Sequence, residues 1–126
     1  MSKERKFDLQ DRLIDYAVRI INLSEALPNT KTGNHIHSQI LKSGTSPAPN
    51  YGEAQSAEST ADFIHKMKIA LKELRETDVW LKIIMRAKLI TPKEKLSPLL
   101  TETDELISIF VKSIETARKN DEKNKK

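Results

Sequence analysis

Five cations on the longest predicted helix, residues 62–90, have the types and spacing that could carry chemistry. They are Lys68, Lys72, Arg75, Lys82 and Arg86. At about 100° per residue, these cations share a sector about 80° wide that runs along about five turns of the helix. A stripe of this kind can track the phosphates of a nucleic acid and supply the sequence-independent electrostatic part of binding.

A second interpretation of this basic stripe stays open. A row of cations on a helix can also be a solvated face, or it can pair with acids of a neighbouring helix such as Asp8, Asp11 and Asp15. The net charge of +4 fits an anionic partner, and it equally fits solubility alone. No aromatic residue alternates with the cations, so we do not expect bases to stack there. Lys42 and the Lys-rich ends of the chain are additional candidates for phosphate contacts.

The other residues with catalytic or metal-binding potential do not form a recognisable site. His35 and His37 are two residues apart, so on a helix their side chains point about 160° from each other. His65 has no accompanying HExxH pattern, and "KSGTS" at 42–46 has no accompanying SxxK, SDN or GxSxG element. A glycine-rich phosphate loop is also absent from the sequence. We therefore predict a protein without enzyme activity, cofactor or metal ion.

Composition limits the fold class and the compartment. Of 126 residues, 32% are charged, 5% are aromatic and only three are glycine, which favours helices over a β-sandwich. The absence of cysteine excludes disulfides and thiolate metal sites and fits a reducing cytoplasm. The segment "MSKERKFDLQDR" lacks the apolar core of a signal peptide, and no apolar run approaches the roughly 20 residues of a membrane-spanning helix. We expect a cytoplasmic protein that does not associate with a membrane.

Two amphipathic helices are predicted in the first part of the chain. Residues 7–27 repeat apolar side chains at steps of three and four, and Pro28 ends this helix because it disfavours helical geometry at the preceding residue. Asn29 or Thr30 can then cap a second helix that runs to about Ser43. Both helices need other elements to cover their apolar faces.

A third and longer helix is predicted from about Glu53 or Ser59 to Lys88. Its apolar arc is about 200° wide, which exceeds the stripe that one bundle buries and also suits a subunit interface. Glu73 and Thr77 lie within this arc. A buried Glu73 would need an ion-pair partner on another helix or another subunit.

The fourth helix is predicted to begin within "TPKEKL". Thr91 is a suitable N-cap, Pro92 fits the first helical position, and Glu94 completes a capping box. Together the segments predict an all-α, up-and-down four-helix bundle with a Pro-containing bend between helices 2 and 3. Residues 1–118 are its single domain, and residues 119–126 form a polar C-terminal tail that we expect to fray.

The predicted bend lies in the stretch "QILKSGTSPAPNYGEA". Pro47 and Pro49 cannot donate backbone hydrogen bonds and impose an extended or kinked passage. Ser46 or Asn50 can cap the turns that follow, and Glu53 can reach back toward Asn50 in a capping box. We predict that these five side chains form the bend and contact another subunit.

Three segments in a fixed order carry a family resemblance. They are "LP" at 27–28, "QILKSGTSPAPNYGEA" at 39–54 and "FIHKMKIALKELRET" at 63–77. Over about residues 7–118 the chain resembles the four-helix-bundle protein family known from reading frames in intervening sequences of bacterial large-subunit ribosomal RNA genes. That family includes the accessory variability proteins of diversity-generating retroelements. The matching positions are Gln39, Lys42, Ser43, Ser46, Asn50, Glu53, Phe63, Ile69 and Ala70.

The resemblance implies a four-helix subunit that assembles into a homopentamer and binds nucleic acid through basic surface. For the retroelement branch it also implies a reverse transcriptase as a partner. No catalytic residues carry over from the family. One departure is that relatives often have aliphatic or small residues where Pro47 and Pro49 stand, and the order Glu-Gly where this chain has Gly52-Glu53.

The stripe and the resemblance together predict a non-enzymatic, homo-oligomeric bundle that binds RNA or DNA without marked sequence preference. One alternative is a structural or protein-interaction scaffold that has no role with nucleic acid. Another is the accessory protein of a diversity-generating retroelement, which an adjacent reverse transcriptase gene would support. Nucleic-acid binding across a salt series separates the first two hypotheses.

Overall fold

The computed structural model describes residues 8–124, which are helical apart from short connections. Its elements are α1 Leu9–Glu25, α2 Lys31–Thr45, α3 Pro47–Gln55, α4 Thr60–Arg86, a 3₁₀ turn Lys93–Lys95 and α5 Ser97–Asn124. No strand occurs in this range, which confirms the predicted all-α class. Residues 119–124 of the predicted tail form the last turns of α5. Residues 1–7 of the predicted domain and 125–126 of the tail lie outside the described residues.

Three of the helices begin at a side-chain cap. Asp8 caps α1, Thr30 caps α2 and Ser59 caps α4. In each case the side-chain oxygen accepts a hydrogen bond from the backbone N–H three residues later, at 2.8 Å for α1 and 3.0 Å for the other two. Each cap satisfies one of the backbone donors that have no partner within the helix. Thr30 is therefore the cap of α2 that the sequence predicted as one of two candidates.

The predicted Pro-containing bend corresponds to the interruption between α2 and α3 at Ser46. Ser46 keeps helical backbone angles, its N–H donates to the Lys42 carbonyl at 3.2 Å, and its own carbonyl accepts from Asn50 N–H at 3.2 Å. The two helices therefore form one interrupted rod, which counts as the second helix of a four-helix bundle. The chain reverses later, at residues 56–59, so the predicted long helix begins at Thr60, next to the Ser59 alternative, and Glu53 belongs to the separate α3.

The predicted capping box of the last helix is wrong. Pro92 has an extended backbone with ψ of 166°, and α5 begins five residues later, at Ser97. The physical reason is Pro98, which has no N–H and would break a helix that had already started at Pro92. As the second residue of α5, Pro98 lies in the first turn, where a backbone N–H has no partner in any case.

The four rods pack around one apolar core. The α2–α3 rod and α5 each lie beside both α1 and α4. α1 and α4 are therefore diagonal to each other. None of the helices within residues 8–124 combines the length and apolar character needed to cross a bilayer. The largest fully buried apolar side chains are Tyr16, Phe110, Leu13, Ile20, Ile40, Met67, Leu74, Leu81, Ile84, Leu96 and Leu106.

Two glycines of α2 allow close backbone approach. A Cβ at Gly44 would lie 2.6 Å from Cγ2 of Ile20 on α1, and a Cβ at Gly33 would lie 1.9 Å from the carbonyl oxygen of Pro28. Neither space admits a side chain without movement of its neighbour. The helical hairpin formed by α1 and α2 therefore depends on glycine at both positions.

Candidate nucleic-acid interface

The basic stripe lies on α4, a helix of 27 residues that contains neither glycine nor proline. At about 1.5 Å per residue the helix is about 40 Å long. Lys68, Lys72, Arg75, Lys82 and Arg86 are all exposed. The core side chains of α4, such as Leu74 and Leu81, occupy the other side of the helix. The regular helix therefore brings the five predicted cations onto one exposed face.

Only one cation of the basic stripe has an ion pair among residues 8–124. Lys82 Nζ lies 2.8 Å from Asp78 Oδ2, one turn earlier on the same helix. The predicted alternative of pairing with Asp8, Asp11 and Asp15 concerns α1 and its N-cap, and α1 packs against the α2–α3 rod and is hydrogen-bonded to α5. The remaining cations of the stripe are thus available to an anion from solution.

A shallow groove of about 240 Å³ between α4 and α5 extends the first half of the stripe. Lys68 and Arg75 line it from α4, and Arg118 and Glu115 line it from α5. We name this surface the α4–α5 groove. Arg118 places a cation on the opposite wall, while the Glu115 carboxylate reduces the positive charge there. The sequence analysis missed Arg118 because nothing local relates the end of the last helix to the stripe.

The second half of the stripe has a different character because aliphatic side chains lie among its cations. Val79 and Ile83 are 54% and 39% exposed. Together with Lys82 and Arg86 they line a surface depression of about 450 Å³. We name these four residues the α4 surface. Helical spacing could have revealed it, since Val79 and Ile83 fall within or beside the basic sector at about 100° per residue.

A second exposed aliphatic set lies on α1. Ile14, Val18 and Ile21 are 47%, 48% and 41% exposed, and they follow one another at steps of four and three. Asp15 and Glu25 are exposed beside them. We name these five residues the α1 surface. The apolar periodicity of this helix alone would also place Val18 and Ile21 at the edge of its inward arc, but Leu13, Tyr16 and Ile20 fill the core instead.

Lys42 does not join the basic stripe. It is exposed on α2, on the side of α4 where Glu73 is half-buried. Burial raises the pKa of the Glu73 carboxyl, and the positive charges of Lys42 and Lys72 oppose that rise. The ion pair expected for Glu73 is not formed among residues 8–124, where Lys42 and Lys72 act on the carboxylate only through space. Thr77, the other polar residue of the arc, is buried and hydrogen-bonded to Ser43 at 2.9 Å.

The five predicted bend residues have separate environments. Pro47 is buried, Ser46 and Asn50 are half-buried, and Pro49 and Glu53 are exposed. Asn50 Nδ2 donates to both the carbonyl and the hydroxyl oxygen of Ser46 at 3.0 Å.

The predicted capping contact between Glu53 and Asn50 is not formed. Glu53 Oε1 instead accepts from Lys66 Nζ at 2.7 Å and joins α3 to α4. The ion pair with a lysine of the next helix offers the carboxylate a charged partner, which is stronger than a neutral backbone donor. The subunit-contact role of the five bend residues stays a prediction.

Two of the three histidines take part in packing or hydrogen bonding. The rings of His35 and Trp80 meet edge to face with centroids 6.1 Å apart, and His37 Nδ1 lies 2.9 Å from the Ser24 carbonyl oxygen. Within residues 8–124 no three side chains of His, Cys, Asp or Glu gather into a group that could hold a metal ion.

Comparisons with known proteins agree with the fold. The family model described as 23S rRNA-intervening sequence protein matches residues 5–112. The chain is also similar to a protein of unknown function from the S23 ribosomal protein family of Bacteroides thetaiotaomicron VPI-5482, solved by crystallography at 1.70 Å. The TM-score is 0.79 and the sequence identity 38%, and the match covers 85% of this chain and 98% of that chain. A comparison with curated proteins finds no match.

Proposed function

Because this chain belongs to the family of 23S rRNA-intervening sequence proteins, we propose that it is a non-enzymatic, self-associating bundle that binds RNA or DNA. The binding surface is the first half of the basic stripe together with the α4–α5 groove. Its ligand is the phosphate backbone, and its action is to hold a nucleic acid without changing it covalently.

One observation carries the proposal: three exposed cations, Lys68, Lys72 and Arg75, have no ion pair among residues 8–124 and follow one another within two turns of α4. They span about 10 Å along the helix axis. Arg118 extends the positive surface across the α4–α5 groove. Cations that no neighbouring carboxylate neutralises supply the electrostatic attraction that a phosphate backbone needs.

The chemistry of the surface sets the expected binding mode. The stripe has no aromatic side chain for base stacking, and lysine and arginine bind phosphate irrespective of the base. With about three or four phosphate contacts, the logarithm of the binding constant should fall with the logarithm of salt concentration at a slope of about −2 to −4. Binding is therefore weak at physiological salt and similar for different sequences.

The test measures the fluorescence anisotropy of labelled single-stranded RNA, single-stranded DNA and duplex DNA between about 50 and 200 mM salt. The triple variant Lys68→Glu/Lys72→Glu/Arg75→Glu should bind at least about tenfold more weakly and show a shallower salt slope. A matched control, Lys31→Glu/Lys93→Glu/Lys95→Glu, changes three exposed lysines elsewhere by the same total charge. Absence of binding by the wild type at low salt, or equal losses in both variants, would contradict the proposal.

A protein-interaction scaffold is a second candidate function, and the exposed aliphatic side chains favour it. Val79 and Ile83 interrupt the stripe with apolar area that contributes nothing to phosphate binding. The same anisotropy experiment decides between the two, since a scaffold without a nucleic-acid role would not bind any of the probes. A reverse transcriptase partner stays a prediction that a co-purification with the enzyme of a neighbouring gene would test.

A further inference from the structure

A cavity of about 310 Å³ lies where the last turns of α1 meet the connection between α4 and α5 and the first turn of α5. We name it the α1–α5 cavity. Its apolar wall comes from Leu23 of α1, Ile90 of the connection and Leu99 of α5. Leu99 is buried, and Leu23 and Ile90 are half-buried and pack against the hydrophobic core. The apolar wall of the cavity therefore continues the core outward, to a place where a ligand can reach it.

The polar part of the α1–α5 cavity is cationic. Arg19 of α1 and Lys95 of the 3₁₀ turn line it from two different segments, and Asn22 of α1 adds a side-chain amide. Neither Arg19 nor Lys95 has an ion pair among residues 8–124. Within the same part of the chain, no aspartate or glutamate lines the cavity. The cavity thus combines two unneutralised positive charges with an apolar wall.

The carboxyl end of α1 lies close to this cavity and carries partial negative charge, roughly half an elementary charge for a helix end. Its carbonyl groups already have partners within the chain. Leu23 O accepts from the N–H of Ala26 at 3.0 Å, and Ser24 O accepts from the N–H of Leu27 at 3.3 Å. Two full cationic charges exceed this partial charge, so the cavity favours an anion over a cation.

The volume of the cavity limits the size of the anion. One water molecule takes about 30 Å³ of liquid volume, so a cavity of about 310 Å³ holds roughly ten non-hydrogen atoms. A saturated carboxylate of about eight carbons has about this size. A nucleotide is larger, and the described residues that line the cavity include no aromatic side chain on which its base could stack.

We propose that the α1–α5 cavity binds a medium-chain aliphatic carboxylate. The Arg19 guanidinium presents its N–H groups in a planar fork that matches the two carboxylate oxygens. Lys95 adds a second positive charge, and the Asn22 amide can donate to the same oxygens. The alkyl chain lies against the apolar wall and displaces water from it. This site goes beyond the proposed function, since it shares no residue with the basic stripe or the α4–α5 groove.

Titration of the full chain with sodium octanoate, followed by heteronuclear correlation NMR, tests the inference. Backbone signals of residues 19–26 and 90–99 should shift and saturate, whereas those of the exposed Ile14 and Val79 should not. Acetate and octanol should each bind at least about tenfold more weakly, because acetate lacks the chain and octanol lacks the charge. Equal binding of either compound, or shifts spread over all the exposed aliphatic residues, would overturn the inference.

The double variant Arg19→Gln/Lys95→Gln tests the role of the two cations. It should raise the Kd of octanoate at least about tenfold, since both charge-assisted hydrogen bonds are lost. The matched control Lys31→Gln/Arg86→Gln removes one lysine and one arginine at exposed sites outside the cavity and should bind octanoate as the wild type does. Equal losses in the two variants would mean that octanoate responds to net charge alone, and would overturn the inference.

The variant Ala26→Phe tests the cavity without changing a charge, and it decides the matter if circular dichroism shows that the double variant does not fold. Ala26 is exposed and also lines the cavity, so a phenylalanine there fills the space and leaves the core intact. It should weaken octanoate binding at least about tenfold. Unchanged binding would overturn the inference. Tighter binding of N-acetyl-leucine than of octanoate would also overturn it, because that compound represents the end of a peptide and would indicate a protein partner.

Discussion

The hydroxyl oxygens of Tyr16 and Thr103 lie 2.6 Å apart in the core, where their hydrogen bond joins α1 to α5. The Thr103 hydroxyl also donates to the Leu99 carbonyl at 2.7 Å, so Tyr16 is the donor to Thr103. Every buried side-chain polar atom within the described part of the chain has a hydrogen-bond partner. The polar groups of the core therefore add a geometric constraint to the apolar packing, since their hydrogen bonds depend on the positions of α1 and α5.

Replacement of Tyr16 by phenylalanine should lower the free energy of unfolding by about 1 kcal/mol, because it removes one buried hydrogen bond while Thr103 keeps its bond to Leu99. Urea denaturation followed by circular dichroism measures the difference. Tyr51→Phe is the matched control, since Tyr51 is half-buried and meets Phe110 edge to face. The control should have a smaller effect, and equal effects would show that the hydrogen bond does not stabilise the fold.

Stability should decrease at alkaline pH partly because of Tyr16. Burial raises the pKa of Tyr16 above its ordinary value of 10.0, although the hydrogen bond with Thr103 opposes the rise. A raised folded-state pKa means that the unfolded chain loses the proton first, so the stabilisation is present below about pH 10 and is lost as pH rises above it. Thermal unfolding between about pH 8 and pH 11 should show a steeper loss in the wild type than in Tyr16→Phe. If the melting temperatures of the wild type and Tyr16→Phe fell in parallel with pH, ionisation of Tyr16 would not be a source of the loss of stability.

The Arg12 side chain should contribute measurably to the contact between α1 and α5. Its Nε and Nη2 donate to the two oxygens of Glu102 at 2.7 and 2.8 Å, and Nη2 also donates to Glu105 at 2.6 Å. Arg12→Gln should lower the free energy of unfolding by about 1–2 kcal/mol. This lies between the contribution to stability that is typical of an exposed salt bridge and that of a buried hydrogen bond to a charged group. A double-mutant cycle with Glu102→Gln measures the coupling, and additive single effects would contradict a direct pair.

The three glycines should respond differently to alanine. Gly44→Ala should destabilise the protein by about 1 kcal/mol or more, since overpacking against Ile20 outweighs the gain in helix propensity. Gly33→Ala should be more harmful because the obstacle there is the Pro28 backbone. Gly52→Ala is the control: its Cβ would approach only the end of the Gln10 side chain, at 3.1 Å, so it should be neutral or stabilise by about 0.5–1 kcal/mol. Thermal denaturation measures the melting temperatures of the three variants. The lowest melting temperature for Gly52→Ala would contradict the expected order.

The double substitution Pro47→Ala/Pro49→Ala should alter self-association or stability and leave phosphate binding unchanged. Alanine restores two backbone N–H donors, which can bond to the carbonyls of Ser43 and Thr45 and join α2 and α3 without interruption. Sedimentation velocity and the anisotropy titration measure the two properties side by side. Loss of binding with intact assembly would contradict a structural role for the prolines.

The periodic features of this fold are readable from the sequence, and its long-range contacts are not. The stripe from Lys68 to Arg86 follows directly from helical spacing, which is why the predicted and observed faces agree. The bond between Tyr16 and Thr103 joins positions 87 residues apart, so no local pattern indicates it. The same holds for Arg12 with Glu102, which are 90 residues apart.

Errors in the predicted boundaries have a local cause. Pro92 and Pro98 both suit the first turn of a helix, and only the later one can occupy that position in α5. The prolines at 47 and 49 predict an extended or kinked passage between helices, yet both lie in the first turn of α3, where the rod continues from α2. A proline thus marks a place where a helix can begin, and tertiary packing decides whether the chain also changes direction there.

The close approach of Gly44 to Ile20 has an evolutionary consequence. Alanine at position 44 would clash with both γ carbons of Ile20. Valine at position 20 keeps two γ carbons, so a homologue with alanine at position 44 should have alanine at position 20. Positions 20 and 44 should therefore covary among homologues. A Cβ at position 33 would meet the carbonyl oxygen of residue 28, and a backbone atom cannot be removed by changing a side chain. Position 33 should therefore remain glycine among homologues, whereas position 44 can vary together with position 20.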